Sequence, residues 1–392
     1  MQTKRNLKIA SIFSGIGGIE LGMEKCGHKT TFMCEIDKYA NMVLNKHFPG
    51  IERHEDILTL KTLPKVDLIT AGFPCQDISL AGTRKGLEGH RSGLVINLFQ
   101  LIKKSKPELV LLENVHNLLR LNKGKALFEV LDLFESCGYK WAYRLVDTRG
   151  FGLPQRRLRV FILGSKGDVN PENILFNDNQ VNLANDSMTN MELGHQYGFY
   201  WTEGKRGVGW ANNSIPPIKG GSALGIPSPP AIFDTINQIA YTPNIIDAER
   251  LQGFPVNWTN VYENGANIKE GIRWKMIGNA VSVPAAEWIG LNLYKNPDCS
   301  NFDFTSWSNL KTVPSAGFGG SGKRFVAKTT THPLSDNHIP IGEFLKHPIK
   351  PLSNRALAGY ISRAKEGAKV FPSGFLEALQ KQLLNESILK NV

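Results

Sequence analysis

Two residues of this sequence could do chemistry together, a cysteine and a glutamate that each follow a short apolar run. Cys75 comes after the run from Val66 to Ala71, and Glu113 closes the run that starts at Glu108. If these runs are neighbouring parallel strands, their carboxyl ends meet at one edge of a sheet, where the sites of open α/β proteins lie. A buried glutamate can hold a proton at neutral pH. The pair therefore predicts a thiol nucleophile beside an acid.

The remaining cysteines and a nearby histidine offer other interpretations. Cys26, Cys34 and Cys137 lie in or beside apolar segments and fit buried packing thiols. His116 could serve Cys75 as the base of a Cys-His hydrolase. That interpretation leaves the glycine-rich turn near the start of the chain unexplained. The five cysteines include no Cys-x-x-Cys pair and the histidines show no ligand spacing, so neither a disulfide framework nor a metal site is predicted.

The glycine-rich turn Phe13-Ser14-Gly15-Ile16-Gly17-Gly18 joins a predicted strand to a predicted helix. Glycines let a ligand approach the backbone, and a helix N-terminus favours a negative group. The third position of a dinucleotide fingerprint counted from Gly15 is Glu20, a carboxylate that would face a pyrophosphate. NAD is therefore disfavoured. S-adenosylmethionine has no phosphate, and its carboxylate could use the helix terminus.

Acidic residues after the next two elements fit the rest of such a cofactor. Glu35 follows the second predicted strand and can bind ribose hydroxyls, and it is chosen over Asp37. Asp56 can bind the adenine amino group, and Ile57 can lie against the adenine face. A glycine-rich turn alone is a weak signal, but these three features in order predict a cofactor site.

At this point the sequence resembles the DNA cytosine-5 methyltransferases in motif content and order. The resemblance covers about residues 8 to 164 and 247 to 290. It rests on six segments: the turn Phe13 to Gly18, Pro74-Cys75-Gln76, Glu113-Asn114-Val115, Gln155-Arg156-Arg157-Leu158-Arg159, Arg250 to Pro255 and Gly278 to Pro284.

The resemblance implies a covalent route to methylated cytosine. Cys75 would add to cytosine C6, because C5 is too poor a nucleophile to take a methyl group unaided. Glu113 would supply a proton or hydrogen bond at N3, and Asn114 would orient Glu113 and contact the base edge. Arg157 and Arg159 would bind the cytosine O2 and the acid. The base must leave the duplex stack for this to happen.

The resemblance also assigns binding residues. The segment from Gln76 to Gly93 would close over the DNA, with Gln76, Ser79, Arg84 and Arg91 as nucleic-acid contacts. The cofactor, S-adenosyl-L-methionine, would be bound by the following residues: Phe13, Ser14, Gly15, Ile16, Gly17, Gly18, Glu35, Ile36, Asp56, Ile57, Pro74, Leu94, Asn279 and Val281.

The predicted fold class is α/β, a Rossmann-like methyltransferase fold with a mixed seven-stranded sheet, because short apolar runs alternate with amphipathic stretches up to about Gly164. The sheet order comes from the resemblance. Residues 1–168 form the predicted catalytic domain and 169–246 a smaller, loop-rich target-recognition domain. Residues 247–300 would return to complete the catalytic domain, and 301–392 would form a basic extension.

The charge balance favours a polyanionic partner. The chain has 46 Lys and Arg against 35 Asp and Glu, a net charge of +11, and residues 301–392 carry 12 against 6. The extension is expected to contact phosphates through cations such as Lys350, Arg355 and Arg363, so that truncation after Asn301 would leave cofactor binding intact. A basic appendage packed on the catalytic lobe is the alternative.

Double-stranded DNA is the predicted partner, with tRNA as the alternative substrate and a non-catalytic DNA-binding regulator as a third interpretation. The protein is expected to be monomeric and to need no metal, and it could be paired with a restriction or other phage-defence system. A cytoplasmic location is expected. The longest apolar runs, such as Leu109 to Leu112, are far shorter than the roughly 20 residues of a membrane helix, and the N-terminus lacks a signal-peptide core.

Overall fold

The computed structural model describes residues 5–74, 93–177, 190–203, 209–221, 229–298, 302–308, 312–335, 337–367 and 371–389. These residues form two compact units. Unit 1 comprises the described residues of Met1–Phe151, Leu158–Asn182 and Val281–Ser335, and unit 2 comprises those of Gly152–Arg157, Leu183–Ala280 and Asp336–Val392.

Unit 1 alternates strands and helices as the sequence predicts. Its elements are β1 (Lys8–Ile12), α1 (Gly18–Lys25), β2 (Lys29–Cys34), α2 (Lys38–His47), β3 (Glu52–His54), β4 (Leu68–Gly72), α3 (Gly93–Ser105), β5 (Leu109–Val115), α4 (Lys125–Ser136), β6 (Lys140–Asp147), β7 (Leu158–Ser165) and α5 (Pro171–Leu175), and, in the order of the chain beyond unit 2, α8 (Val283–Lys295), β14 (Phe304–Ser306), β15 (Ala316–Gly320) and β16 (Lys323–Ala327).

Unit 2 combines short strands with helices. Its elements are β8 (Gln196–Phe199), β9 (Trp210–Asn212), β10 (Ala231–Asp234), β11 (Ile239–Thr242), α6 (Ile245–Leu251), β12 (Tyr262–Glu263), β13 (Ala266–Asn267), α7 (Glu270–Asn279), α9 (Ile341–Phe344), β17 (Lys350–Pro351), α10 (Asn354–Lys365) and α11 (Phe375–Leu389). Within the described ranges, no helix is long and apolar enough to cross a membrane.

The sheet of unit 1 has the order β14-β16-β15-β6-β7-β5-β4-β1-β2-β3. Strands β3, β2, β1, β4 and β5 are parallel, and β7 is antiparallel to both β5 and β6. The predicted α/β class and the mixed seven-stranded arrangement of β1 to β7 are confirmed. Three further strands extend this sheet, because β15 pairs with β6 and β16 lies between β15 and β14.

Helices cover both faces of this sheet. Strand β5 reads Leu109-Val110-Leu111-Leu112 and is buried on both sides, which is typical of a central strand of a parallel sheet. One face packs against α3 and α4, and the other packs against α1, α5 and α8. Gly22 makes the contact of α1 with α8 possible, because a Cβ there would lie 2.7 Å from the Val283 carbonyl and from the Ala286 Cβ.

Unit 2 has a five-stranded antiparallel sheet in the order β17-β11-β10-β8-β9. Its core joins Phe199 and Phe233 of the sheet to Tyr360 of α10 and Phe375 of α11. Phe375 lies within 5.5 to 6.2 Å of the rings of Phe199, Phe233 and Tyr197. The C-terminal helices are therefore part of this core.

The compact units divide the chain at other positions than the predicted domains. The segment 247–300 splits, with α6 and α7 in unit 2 and α8 in unit 1. The extension 301–392 also splits. Residues up to Ser335 belong to unit 1, and those from Asp336 onward belong to unit 2. In unit 2, Asp247 of α6 accepts hydrogen bonds from the backbone N–H and Nδ1 of His347, at 2.9 and 3.0 Å. Truncation after Asn301 would thus remove parts of both units, and its expected effect on cofactor binding stays a prediction.

Replacing Phe375 with alanine tests this integration. Phe375→Ala is expected to lower the free energy of unfolding by about 3–5 kcal/mol, because it leaves a cavity among buried aromatic rings. Leu384→Ala on the same helix is the control, since Leu384 is 66% exposed and its loss should cost less than ~0.5 kcal/mol. Urea unfolding measures both. If Phe375→Ala and Leu384→Ala both lowered the free energy of unfolding by the same small amount, α11 would not be part of the core of unit 2.

Candidate active site

The parallel pairing of five strands brings the predicted cofactor residues to one edge of unit 1. Ile12 at the end of β1 is in register with Cys34 at the end of β2, and Cys34 is in register with His54 at the end of β3. Gly72 at the end of β4 pairs with Glu113 near the end of β5. The glycine-rich turn, Glu35, Asp56, Pro74 and the Glu113 segment follow these ends and therefore line the same edge.

The turn from Phe13 to Gly18 has a backbone that suits glycine. Gly15 and Gly17 have φ angles of 56° and 85°, in the left-handed region. A Cβ on Gly17 would collide with the ring of Phe48, whereas a Cβ on Gly15 would meet no atom within 4 Å. Phe13 is half-buried, Ser14 and Ile16 are buried and Gly18 begins α1. Gly15 is therefore the position in this turn where a ligand can reach the backbone.

Glu35 holds the turn in place. Its two carboxylate oxygens accept hydrogen bonds from the backbone N–H groups of Gly15 and Asp37, both at 2.7 Å. Burial raises the pKa of Glu35, and these two hydrogen bonds oppose that shift. Asp37 has another task, because its carboxylate caps α2 by accepting from the N–H groups of Tyr39 and Ala40. The preference for Glu35 over Asp37 as a ligand residue is consistent with this arrangement and stays a prediction.

The two predicted adenine contacts differ in their accessibility. Asp56 is half-buried and its carboxylate accepts the N–H of Leu58 at 2.9 Å. Ile57 is only 5% exposed and packs in the core under the sheet. Ile36, beside Glu35, is 70% exposed. At this edge the side chain of Ile36, unlike that of Ile57, is exposed and could lie against the adenine ring.

Three further predicted cofactor residues of unit 1 lie near the same strand ends or at the start of α3. Pro74 is exposed directly after β4, and Leu94 is partly buried in the first turn of α3. Val281 lies against Gly72, because a Cβ on that glycine would be 3.8 Å from Val281 Cγ2 and 3.5 Å from Glu113 Oε2.

Glu113 forms an ion pair with Arg159. The Arg159 Nε lies 2.9 Å from Glu113 Oε1, and both side chains are largely buried. The pairing of β5 with β7 makes this possible, since the antiparallel register sets Arg159 opposite Val115, two residues beyond Glu113. A charge-assisted pair of this kind fixes the carboxylate in orientation. The structure thus joins two of the residues that the sequence assigned to the reaction.

Asn114 fastens the end of β4 to β5. Its Nδ2 donates to the carbonyl of Phe73 at 3.0 Å, and its Oδ1 accepts the N–H of Val115 at 2.8 Å. Both contacts fix backbone, and the Phe73 contact fixes the chain one residue before Pro74. The predicted nucleophile Cys75 and the predicted DNA contacts Gln76, Ser79, Arg84 and Arg91 lie outside the described residues.

Arg157 has a different environment from Arg159, although only one residue separates them. Arg157 is buried in unit 2 and donates to the backbone carbonyls of Ile218, Gly278 and Ala280, at 3.2, 3.2 and 2.7 Å. Two segments of unit 2 meet there, because a Cβ on Gly278 would collide with the backbone of Lys219. These bonds make Arg157 a positioning residue, and its predicted contact with cytosine stays a prediction.

Gln155 works with Arg157 and was absent from the predicted site. Its Nε2 donates to the Leu251 carbonyl, and its Oε1 accepts the N–H of Ile218, both at 2.9 Å. The spacing of Gln155 and Arg157 was the sequence signal that could have identified Gln155. Residues two apart in an extended segment point their side chains in the same direction. Asn279, predicted to bind the cofactor, is exposed in unit 2 at the end of α7.

Glu20 does not lie where the sequence placed it. Its carboxylate is buried beneath α1 and accepts a hydrogen bond from Ser11 Oγ of β1. Burial raises the pKa of Glu20 to about 7, and the charges of Glu24 and Glu35 add to that shift. The prediction that this carboxylate would face a pyrophosphate is therefore wrong, because Glu20 faces the sheet.

No cluster of histidine, cysteine, aspartate and glutamate that could hold a metal ion occurs within the described part of the chain. The fold and the site together define a class: a Rossmann-like sheet with a glycine turn, an acidic residue after β2 and a buried Glu-Arg pair between the end of β5 and the start of β7. This is the arrangement expected of a cytosine-5 methyltransferase.

Comparison with known proteins establishes the family. The C-5 cytosine-specific DNA methylase family matches residues 7–203. Type II methyltransferase M2.BsuMI of Bacillus subtilis is 47% identical over 382 residues, covering 96% of this chain and 98% of that protein. The chain belongs to this family and is a DNA cytosine-5 methyltransferase.

Two other similarities extend over most of the chain. Type II methyltransferase M.HaeII of Haemophilus aegyptius is 30% identical over 310 residues, covering 73% of this chain and 92% of that protein. A solved structure of a Spodoptera frugiperda DNMT2 mutant superposes with a TM-score of 0.50 at 14% identity, covering 74% of this chain and 99% of that one. The second similarity concerns the fold.

Replacing Glu20 with glutamine tests the burial of its carboxyl group. The pKa is about 7 in the folded protein against an ordinary value of 4.5, so the folded state binds more protons between these pH values. The wild-type protein should therefore lose stability as pH rises through this window, by up to ~3 kcal/mol above pH 7. Glu20→Gln should remove that loss. Urea unfolding at pH 5 and pH 8 measures it, with exposed Glu55→Gln as the control, and an unchanged pH dependence in Glu20→Gln would contradict the assignment.

Proposed function

We propose that the protein transfers a methyl group from S-adenosyl-L-methionine to C5 of a cytosine in duplex DNA, through a covalent bond between Cys75 and C6. The observation that carries this proposal is the Glu113–Arg159 pair at 2.9 Å, beside the strand end that leads through Phe73 and Pro74 into Cys75. A carboxyl group held beside the predicted nucleophile can bind a ring nitrogen of cytosine. A Cys-His hydrolase would need an imidazole in that position.

The reaction begins with the Cys75 thiolate. Its sulfur would add to C6, and the negative charge that reaches the ring would be neutralised at N3 by a proton or hydrogen bond from the neutral carboxyl form of Glu113. The electron pair at C5 would then bond to the methyl carbon as the bond from that carbon to the sulfonium sulfur breaks and a neutral thioether leaves. Loss of the C5 proton to a base, elimination of the Cys75 thiolate and return of the N3 proton to Glu113 would restore the aromatic ring and the enzyme. No metal takes part in these steps.

Arg159 and Asn114 position the reacting groups. Arg159 binds Glu113 Oε1, which orients the carboxyl group so that Oε2, on the side of Gly72, is the oxygen assigned to N3. Asn114 holds the Phe73 carbonyl and hence the path of the chain toward Cys75. Fixing both groups before the base arrives reduces the entropy lost in the transition state.

The residues at the strand edge fit S-adenosyl-L-methionine. Gly15 leaves open space above its backbone, Glu35 presents a carboxylate for ribose hydroxyls, and exposed Ile36 offers an apolar surface for a base. When bound, the cofactor supplies a methyl group on a positively charged sulfur. Glu35 has two roles in this proposal, because the same carboxylate holds the glycine-rich turn and binds the ribose hydroxyls.

The target cytosine must leave the stack, which costs a few kcal/mol. The segment predicted to close over the DNA, with Gln76, Ser79, Arg84 and Arg91, remains the proposed source of contacts to the extruded nucleotide. The relatives M2.BsuMI and M.HaeII are named Type II methyltransferases. We accordingly propose a paired restriction enzyme as the functional partner of this protein, whose methylation would protect the host DNA.

Cys75 can be tested by trapping. DNA in which cytosine is replaced throughout by 5-fluorocytosine should capture the protein covalently, because fluorine at C5 cannot leave as a proton does. The use of fully substituted DNA makes knowledge of the target sequence unnecessary. The adduct, measured by denaturing gel electrophoresis after incubation with cofactor, should be absent in Cys75→Ala and retained in Cys137→Ala. An adduct that persists in Cys75→Ala would identify another nucleophile.

Glu35 can be tested with cofactor alone. Glu35→Ala should weaken S-adenosyl-L-methionine binding by about 1.5–3 kcal/mol, the range for hydrogen bonds to a charged group. Asp37→Asn is the matched control, because asparagine caps a helix as well as aspartate does, and its affinity should stay within about twofold. Titration calorimetry measures both. Unchanged affinity in Glu35→Ala would remove the ribose contact from Glu35.

A further inference from the structure

A groove in unit 2 shares no residue with the candidate active site. Two adjoining cavities of about 690 and 310 Å³ form it, and Trp201, Ser353 and Ala356 line both. We call it the Trp201 groove. Its floor and rim combine residues from the middle of the chain with residues from β17 and α10.

The rim of the Trp201 groove is positively charged. Lys350 lines the larger cavity, and Arg355 and Arg363 line the smaller one. Glu270 is the one acidic residue among the described lining residues, and it accepts the Trp274 Nε1 hydrogen at 3.1 Å. Lys350 and Arg355 are exposed, and among the residues that the structure describes neither forms an ion pair. Their charges are available to an anion from outside.

The wall of the groove is held by hydrogen bonds within the protein. Arg363 donates to the carbonyls of Trp201 and Glu203, at 2.5 and 2.8 Å, and so ties α10 to the segment that carries the tryptophan. The Trp201 indole donates to the Pro229 carbonyl at 2.9 Å. Strand β17 pairs with β11, which sets Lys350 opposite Thr242. Arg363 is therefore part of the wall, whereas the charged groups of Lys350 and Arg355 can bind an anionic ligand.

Unpaired cations beside flat apolar walls suit the backbone of a nucleic acid. Phosphates are bound by lysine and arginine, and sugars and bases pack on aromatic surfaces. The protein acts on DNA, and its net charge is +11. We infer that the Trp201 groove is a second DNA contact, which binds the sugar-phosphate backbone and not the cytosine that reacts. This contact rests on DNA being the substrate, but not on the covalent mechanism.

The inference predicts a change in salt dependence. Each phosphate contact releases counterions and adds about 0.9 to the slope of log affinity against log salt. The double variant Lys350→Gln with Arg355→Gln should therefore bind duplex DNA of random sequence more weakly, with a slope reduced by about 1 to 2. Fluorescence anisotropy over a series of salt concentrations measures this, and thermal melting of the variant checks that it is folded.

Two further variants keep the test specific. Lys103→Gln with Lys104→Gln removes the same charge from exposed lysines of α3 in unit 1 and should leave the slope unchanged. Lys350→Arg with Arg355→Lys keeps the charges and should keep the slope. Cofactor affinity and the single-turnover methylation rate at saturating DNA should be unaltered in all of them.

The outcomes are distinguishable. A slope that is unchanged in the glutamine variant, or reduced equally in the α3 control, would overturn the inference and leave the groove to an acidic protein partner or a small anion. Failure of the covalent mechanism would show instead as a 5-fluorocytosine adduct that survives Cys75→Ala, while the salt slope of the groove variant still fell.

Discussion

The candidate site depends on the position of β5 between β4 and β7. Its four consecutive apolar residues, Leu109 to Leu112, are buried on both faces, so the strand can only be central. Because it pairs parallel with β4 and antiparallel with β7, its carboxyl end meets the end of one neighbour and the start of the other. Glu113, the chain entering Cys75 and Arg159 are brought together by that single arrangement. A shift of one residue would turn Glu113 to the opposite face.

The motif around Arg157 and Arg159 shows how one short segment serves two purposes. The chain passes from unit 2 to unit 1 between these residues. Arg157 satisfies carbonyl groups of unit 2, and Arg159 pairs with Glu113 in unit 1. Both arginines are largely enclosed, and each has a polar or charged partner, as the burial of a guanidinium requires. Their types are therefore set by two separate sets of partners, the backbone carbonyls of unit 2 and the carboxylate of Glu113.

Local pattern predicted the elements of the methyltransferase sheet but not all of its pairings. Alternating apolar and amphipathic stretches located β1, β2 and β4 to β7, and the motifs placed Glu35 and Glu113 at strand ends. Glycines from Gly317 to Gly320 form most of strand β15, an element that the sequence alone did not predict. A Cβ at Gly317 would meet Tyr143 and Trp307, and a Cβ at Gly319 would meet Trp141, so these glycines allow close packing beside β6. Contacts so distant in sequence leave no periodic signal. The burial of Glu20 against Ser11 and of Ile57 in the core could not be deduced from residue type either, because both depend on how the elements pack together.

The path of the chain has a consequence for how the protein is made. The backbone passes between the two units five times, and the last described helix, α11, supplies Phe375 and Leu379 to the core of unit 2. A ribosome delivers the chain from its N-terminus, so the parts of unit 1 that emerge first must wait for β14 to β16, and unit 2 must wait longer still. Unit 1 is complete only after residues up to Ser335 have been synthesised, and unit 2 only after α11. A chain that stops before these segments is left with exposed apolar surface, which proteases and chaperones recognise.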